Sequence, residues 1–148
     1  MKNKLLLPPN LAYGGAILII LLFFAFAQFN LIKYPDNLIG LALMAIGAGL
    51  NIVAWKQFMK AGTPEKFEKS SRLVTNGLYK YSRNPMYVGG VLILSGLATL
   101  FGNVLAFIAP VLFFLAIDRI VIPIEEKKTA QDLGQKYLEY QRKVRRWI

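Results

Sequence analysis

The sequence predicts an all-α integral membrane protein with four transmembrane helices and a C-terminal amphipathic helix at the membrane interface. Three observations lead to this fold class. Of the 148 residues, 55% are hydrophobic. These residues form continuous blocks whose lengths approach the ~20 residues that cross a bilayer as a helix. The basic residues, in turn, are distributed very unevenly among the connections. The chain is long enough for one domain, and we expect residues 1–148 to form it.

The first two blocks are long enough to span a membrane. The first covers about residues 11–29 with Gln28 as its one strongly polar residue, and the second covers about 38–55 and contains only Asn51. We expect the first block to be a retained helix, because it is longer than a signal-peptide core and no small-residue cleavage site follows it. The second block contains small residues that allow close helix packing: Gly40, Ala45, Gly47, Ala48 and Gly49.

The third and fourth blocks predict a short helical hairpin. They cover about residues 86–101 and 104–122, and Gly102-Asn103 between them is typical of a tight turn. Sixteen residues rise about 24 Å at 1.5 Å each, which is less than the roughly 30 Å of a hydrocarbon core. We therefore expect the cytoplasmic ends of both helices to be recessed below the headgroups. The polar residues placed in this recess are Arg83, Asn84, Asp118 and Arg119.

An alternative to the recess is that the hairpin tilts less. Arg119 would then extend to the headgroups while it pairs with Asp118, and neither residue would face a water-filled cavity.

The distribution of basic residues predicts the topology. If the helices alternate in direction, Lys33 lies alone on one side, and the other 17 of the 18 Lys and Arg residues lie on the side of the termini. The positive-inside rule then places both termini in the cytoplasm. We attribute the net charge of +10 to a basic face beside an anionic leaflet, and we expect no nucleic-acid partner.

The tail beyond Pro123 is predicted to be an amphipathic helix of about residues 125–144 that lies in the membrane interface. Its apolar residues are spaced 4, 3, 4 and 3 apart, as on one face of a helix: Leu133, Tyr137, Tyr140, Val144 and Trp147. Basic residues flank this stripe.

Glu125 and Glu126 stand where the fourth membrane helix leads into the tail. Asp118 and Glu125 are seven residues apart, as are Arg119 and Glu126, so each pair is expected to share a face of an uninterrupted helix. Pro123 makes this alignment approximate, because it can kink the helix. Alternatively, the two glutamates only stabilise the first turn of the tail helix through the helix dipole.

The residue types present in the chain restrict the reactions that it can catalyse. The chain has no cysteine and no histidine, which removes thiolate chemistry and the commonest metal ligand and general base. Carboxylates, arginines and tyrosines lie at the mouth of the predicted hairpin; the tyrosines are Tyr79, Tyr81 and Tyr87. This set suits a ligand that has a cationic amine, an anionic carboxylate and a flat aromatic group.

Two segments resemble a known family. GLYKYSRNPMYVGG, residues 77–90, resembles the G-x-Y-x-x-x-R-H-P-x-Y-x-G pattern of the isoprenylcysteine carboxyl methyltransferases and related phospholipid methyltransferases. The tail EEKKTAQDLGQKYLEYQRKVRRWI is similar to that family's carboxylate pair and its G-x-x-Y-x-x-Y-x-x-x-V-x-R ending. Either motif alone is weak, but both occur in order with a two-helix hairpin between them. They cover about the C-terminal half, from Gly77 to Arg146, and the first two helices fit by topology alone.

The resemblance implies a single membrane methyltransferase-like domain that holds S-adenosylmethionine between the two motifs on the cytoplasmic side. The matched positions give the cofactor-binding residues Tyr79, Arg83, Asn84, Pro85, Tyr87, Glu125, Glu126 and Tyr137, with Tyr140 and Arg145 in the closing tail. In this arrangement Arg83 would pair with the cofactor carboxylate, and Glu125 or Glu126 would hold its ammonium or sulfonium. Asn84 stands where the family usually has histidine, and an amide does not take up a proton near neutral pH.

The function that follows is methyl transfer to a lipophilic carboxylate, such as a prenylated cysteine analogue, which enters from the bilayer among membrane lipids. A carboxylate is already ionised at pH 7 and needs no base. The candidate catalytic residues are Arg83, Arg119 and Glu126.

Three alternatives stay open. In a phosphatidylethanolamine N-methyltransferase, Glu125 or Glu126 would have to remove a proton from the amine. A sterol-reductase-like protein would need a dinucleotide. A membrane protein that keeps the fold without activity is the third.

Overall fold

A computed structural model describes residues 7–60 and 73–148. Within those ranges the protein is all-helical. Its helices are α1 (Pro8–Ala25), α2 (Ile39–Lys60), α3 (Pro85–Phe101), α4 (Ile108–Ala116), α5 (Ile122–Leu133) and α6 (Gln135–Lys143). Four short 3-10 turns are Ala27–Phe29, Asp36–Leu38, Gly77–Lys80 and Val104–Phe107, and a π-turn at Ile117–Val121 joins α4 to α5. The predicted all-α class is confirmed for this part of the chain.

The apolar helices have the lengths expected of an integral membrane protein. In the described ranges three stretches are long and apolar enough to cross a bilayer: Pro8–Ala25, Asp36–Lys60 and Val104–Leu133. The fourth apolar helix, α3, has 17 residues and is shorter. Four blocks of the sequence therefore form helices as predicted, while a count of four spanning helices stays a prediction.

Helices α2 and α3 approach each other closely because glycines face each other across their contact. A Cβ added to Gly96 would lie 2.6 Å from the carbonyl oxygen of Gly40, and one added to Gly47 would lie 2.7 Å from that of Gly89. Small residues let membrane helices approach in this way. The predicted packing role is confirmed for Gly40 and Gly47. Gly49 differs, because a Cβ there would have nothing within 4 Å.

The predicted tight turn between the third and fourth blocks is present. Gly102 has φ 74°, and Asn103 is completely buried. The two N–H groups of the Asn103 side-chain amide are shared among three acceptors, the carbonyl oxygens of Leu22 (3.2 Å) and Phe26 (3.0 Å) and Oδ1 of Asn30 (2.7 Å). These bonds attach the hairpin turn to the end of α1.

The predicted boundary between the fourth membrane helix and the tail helix is wrong. One helical stretch runs from Val104 to Leu133 through the π-turn at Ile117–Val121. The ring of Pro123 would clash with the carbonyl group four residues earlier in an α-helix. The π-turn widens the helix just before this proline, and there the N–H of Ile122 bonds the carbonyl oxygen of Ile117. Pro123 is thus accommodated without ending the helix.

The tail is not one long interfacial helix. It breaks at Gly134, which has φ 56°, and α6 ends at Lys143. Tyr137 and Tyr140 are only 6% and 8% exposed, and the Tyr140 hydroxyl donates to the carbonyl oxygen of Tyr79 at 2.6 Å. The apolar stripe therefore packs against the protein itself, because it covers the segment that precedes α3.

Candidate active site

The 3-10 turn Gly77–Lys80 forms the first wall of the site, and α2 fixes its position. The N–H of Leu78 donates to Oε1 of Gln57 on α2 at 3.0 Å. Gly77 has φ 63°, a left-handed conformation that favours glycine, and the Gln57 side chain occupies the space of a Cβ there. Tyr79 is buried next to it, and burial, followed by the negative charge of Glu125, raises the pKa of Tyr79 to about 12.

Arg83 connects three parts of the chain. Its Nε and Nη2 donate to Oε1 of Glu126 on α5 at 3.1 and 2.7 Å. Its Nη1 donates to the carbonyl oxygens of Gln141 (3.0 Å) and Val144 (2.6 Å) in the tail. The Arg83 and Glu126 side chains are 10% and 11% exposed, and buried charges of this kind require partners. The two motifs of the sequence are thus joined by an ion pair whose side chains are largely buried.

Glu126 is fully occupied by hydrogen bonds. Oε1 accepts both bonds from Arg83, and Oε2 accepts from Nε2 of Gln141 (3.4 Å) and Nη2 of Arg146 (3.1 Å). An ionised carboxylate has about four lone-pair sites, so these donors use all of them. Glu126 is the centre of a closed network.

The chain after α6 lies alongside the residues that precede α3. The N–H of Arg83 donates to the carbonyl oxygen of Arg145 at 3.0 Å. The Asn84 amide donates to the carbonyl oxygen of Arg146 at 3.0 Å, and Ser82 Oγ is 3.4 Å from the same atom. The ring N–H of the histidine usual in the family is also a donor. Asparagine at position 84 therefore retains the ability to donate this hydrogen bond.

Arg146 shows that the predicted pairing of residues along the helix is wrong. Its Nη1 contacts Oδ1 of Asp118 at 3.2 Å and its Nη2 contacts Oε2 of Glu126 at 3.1 Å. Asp118 and Glu126 are eight residues apart yet share a face. Two α-turns take about 7.2 residues, and one wider π-turn adds about one more. Neither Asp118 with Glu125 nor Arg119 with Glu126 is therefore aligned as expected.

The π-turn leaves Arg119 at the exposed edge of this network, without an ion pair to Glu126 in the described part of the chain. The Arg119 side chain is 78% exposed, and its Nε lies 3.3 Å from Oδ2 of Asp118. The other carboxylate oxygen of Asp118, Oδ1, accepts a hydrogen bond from Nε1 of Trp147 at 2.9 Å. Burial lowers the pKa of Arg146, but its bonds to Asp118 and Glu126 outweigh this and raise it.

Glu125 lies in a different environment from its neighbour Glu126. It is exposed, and the hydroxyl of Tyr87 on α3 is 2.9 Å from each of its carboxylate oxygens. Two adjacent glutamates thus have separate roles: Glu126 holds arginines, and Glu125 faces outward beside a tyrosine.

The structure brings all eight predicted cofactor-binding residues to one end of the helical bundle. Those that converge there are Tyr79, Arg83, Asn84, Pro85, Tyr87, Glu125, Glu126 and Tyr137. Burial and then the charge of Glu126 raise the pKa of Tyr137 to about 12. Tyr81 is 70% exposed and lies outside this cluster.

Arg145 was the tail arginine assigned to the site from the sequence, but the side chain that reaches the carboxylates is that of Arg146. Arg145 contributes its backbone, whereas the side chain of Arg146 reaches Asp118 and Glu126. The V-x-R spacing of the family ending points to position 146 and was the signal available. Gln141 and Trp147 were not assigned to the site, and their contacts depend on how the tail folds back.

Comparison with known proteins gives two findings. Residues 36–136 match a family model described as phospholipid methyltransferase. This range includes both the Arg83–Tyr87 segment and the two glutamates, and it ends before the residues that follow α6. The chain is also similar to an uncharacterized protein of Haemophilus influenzae, with 36% identity over 63 residues, which are 43% of this chain and 100% of that protein.

Proposed function

The chain belongs to the phospholipid methyltransferase family, and we propose that it transfers the methyl group of S-adenosylmethionine to a lipophilic acceptor that enters from the membrane. The observation that carries this proposal is the largely buried pair of Arg83 and Glu126, which joins the two motif segments at one end of the bundle. The apolar helices support an integral membrane location.

The donor set at this end fits the cofactor. S-adenosylmethionine supplies a methyl group activated by a sulfonium, and it also carries an ammonium. Glu125, which is exposed and bonded to the Tyr87 hydroxyl, is the carboxylate we assign to these positive charges. Arg83 and Glu126 bond chiefly each other and the tail, so we assign them the role of holding the walls that orient the cofactor.

For the acceptor we propose a lipophilic carboxylate. The chain has no histidine or cysteine, and all four lone-pair sites of Glu126 are used. Glu125 is then the one glutamate at this site that faces outward, and we assign it to the cofactor. An acceptor that is already anionic needs no base, and we assign the exposed Arg119 to orient it. Catalysis would come chiefly from proximity and orientation.

A second candidate acceptor is the amine of phosphatidylethanolamine, and the description of the matching family favours it. In this case Glu125 would remove the proton from the acceptor ammonium, and methyl transfer would follow to the neutral amine. Exposed Glu125 beside Tyr87 is the candidate base for this reaction.

Cofactor use is tested by thermal unfolding of the purified protein in detergent. We expect S-adenosylmethionine or its demethylated product to raise the unfolding temperature, because a ligand that binds only the folded state stabilises it. NADPH serves as the comparison. Stabilisation by NADPH alone would favour the reductase alternative, and no stabilisation by any of the three would contradict the proposed cofactor.

The acceptor is tested by transfer of labelled methyl groups in liposomes from about pH 6 to 9, where a carboxylate stays ionised and an amine begins to lose its proton. We expect a prenylated cysteine analogue to be methylated faster than phosphatidylethanolamine, with a rate nearly independent of pH. Glu125→Gln at saturating cofactor should leave this pH profile flat. A preference for the amine, with a rate that rises steeply with pH and is lost in Glu125→Gln, would establish the phospholipid alternative.

We also propose that both termini lie in the cytoplasm, as the distribution of the 18 basic residues indicates. Tags at the two ends should be protected from a membrane-impermeant reagent in intact cells. They should become accessible in vesicles whose cytoplasmic face points outward. A terminus accessible from outside would refute this topology and the recessed placement of the site.

A further inference from the structure

The last residues of the chain, Val144–Ile148, form a segment that we call the C-terminal strap. It follows α6 and crosses the site, where its carbonyl groups accept hydrogen bonds from Arg83 and Asn84. The strap lies beyond residues 36–136, the part matched by the family model. Its contacts cover the ion pair of Arg83 with Glu126, so opening the strap would expose this pair.

Asp118 anchors the strap on its other side. Its Oδ1 accepts from Nη1 of Arg146 at 3.2 Å and from Nε1 of Trp147 at 2.9 Å. The Trp147 ring packs against Phe114 with 4.6 Å between the ring centroids. Two consecutive strap side chains are thus bound by one carboxylate, and that carboxylate belongs to the π-turn that joins α4 to α5.

The π-turn allows Asp118 to anchor the strap on the same face of the helix as Glu126. It brings Asp118 onto the same face as Glu126, and one guanidinium, that of Arg146, then contacts both carboxylates. In an uninterrupted α-helix Glu125 would occupy that face. π-turns inside α-helices are frequent at functional sites, and here the turn connects the anchor of the strap to the network around Arg83.

We propose that Asp118 is a positioning residue: through Arg146 and Trp147 it holds the C-terminal strap closed over the site and thereby sets how long the cofactor stays bound. This inference rests on the proposed function. Asp118 touches neither cofactor nor acceptor in this scheme. Closure retains the cofactor because the strap bonds Arg83 and Asn84, which belong to the wall of the site.

The position of the strap can be measured without any cofactor. The chain has two tryptophans, so Trp55→Phe leaves Trp147 as a single fluorescent reporter. In this background we expect Asp118→Asn to increase quenching of Trp147 by a soluble quencher, and Asp118→Glu to restore part of the protection. Asp36→Asn, the same change at an exposed site in a different turn, should leave quenching unchanged. Equal quenching in Asp118→Asn and the parent would refute the anchoring role.

The effect on the cofactor is measured by dissociation rate and steady-state kinetics. Arg146→Gln and Asp118→Asn should raise the dissociation rate and the KM for S-adenosylmethionine about tenfold to hundredfold, the loss expected for a charge-assisted bond, while kcat changes little. Arg145→Gln is the matched control, because the exposed Arg145 side chain makes no ion pair within the described ranges. Equal effects at positions 145 and 146, or a fall in kcat at constant KM, would overturn the proposal.

The two assays separate the inference from the proposed function. If S-adenosylmethionine does not bind even the parent protein, the proposed function is wrong, and with it the role of the strap in cofactor retention. If the cofactor binds and Trp147 is released in Asp118→Asn without a change in cofactor dissociation, the strap inference alone is wrong.

Discussion

Replacing Arg83 by alanine is expected to lower the free energy of unfolding by about 3–5 kcal/mol, the cost of leaving one member of a buried ion pair without its partner. The Arg83 and Glu126 side chains are 10% and 11% exposed, so water replaces the lost contacts poorly. The carbonyl groups of Gln141 and Val144 lose their donor as well. We therefore expect binding of S-adenosylmethionine to weaken about tenfold to hundredfold.

Two further variants make the Arg83 test specific. Arg83→Lys retains the charge but loses the planar fork that bonds Glu126 and the tail together, so most of the loss should remain. Glu126→Ala should resemble Arg83→Ala, because it leaves Arg83 and Arg146 without their shared acceptor. The measurements are thermal unfolding in detergent and cofactor titration at a temperature where each variant stays helical. Folded variants that bind the cofactor with unchanged affinity would reduce this pair to a purely structural role.

Gly96→Ala is expected to destabilise the protein by about 1–3 kcal/mol or more, since overpacking of a tight contact costs this much. The new Cβ would lie 2.6 Å from the carbonyl oxygen of Gly40 and 2.8 Å from the N of Met44. These are backbone atoms, and no side-chain rotation relieves the overlap. Helices α2 and α3 must separate, and α2 also carries Gln57, which fixes the turn beside Tyr79.

Gly49→Ala is the matched control for the glycine test. A Cβ at Gly49 has nothing within 4 Å, and alanine is the better helix former by roughly 0.5–1 kcal/mol. We expect unchanged or slightly higher stability for Gly49→Ala and a clear loss for Gly96→Ala, both by thermal unfolding in detergent. Similar stability of the two variants would show that α2 and α3 are not in the close contact described above.

The features that could be predicted from the sequence are those determined by neighbouring residues. Four apolar blocks define helices because an α-helix satisfies the backbone hydrogen bonds within its own segment, as a membrane span requires. Gly102-Asn103 defines a turn because glycine adopts the left-handed conformation, here φ 74°. The close packing of α2 also follows from composition, since Gly40 and Gly47 leave space for a partner backbone.

The features that could not be predicted depend on contacts between distant residues. Arg83 and Glu126 are 43 positions apart. The sequence alone does not show that their side chains bond each other when no ligand is bound. The register after Pro123 depends on whether the proline kinks the helix or is accommodated by a π-turn. This choice decides whether Glu125 or Glu126 faces Arg83, and therefore which of the two is left to face outward.

The π-turn also affects how this chain should be aligned with its relatives. It accommodates one residue more than an α-helix would between Asp118 and Glu126, which are eight positions apart here. A relative that has an ordinary α-helix in this stretch would present the equivalent carboxylates seven positions apart, on the same face. A search pattern with a fixed interval would match one kind of sequence and miss the other. An alignment should therefore place a one-residue gap between Ile117 and Val121, so that the carboxylates that bind the strap arginine remain equivalent.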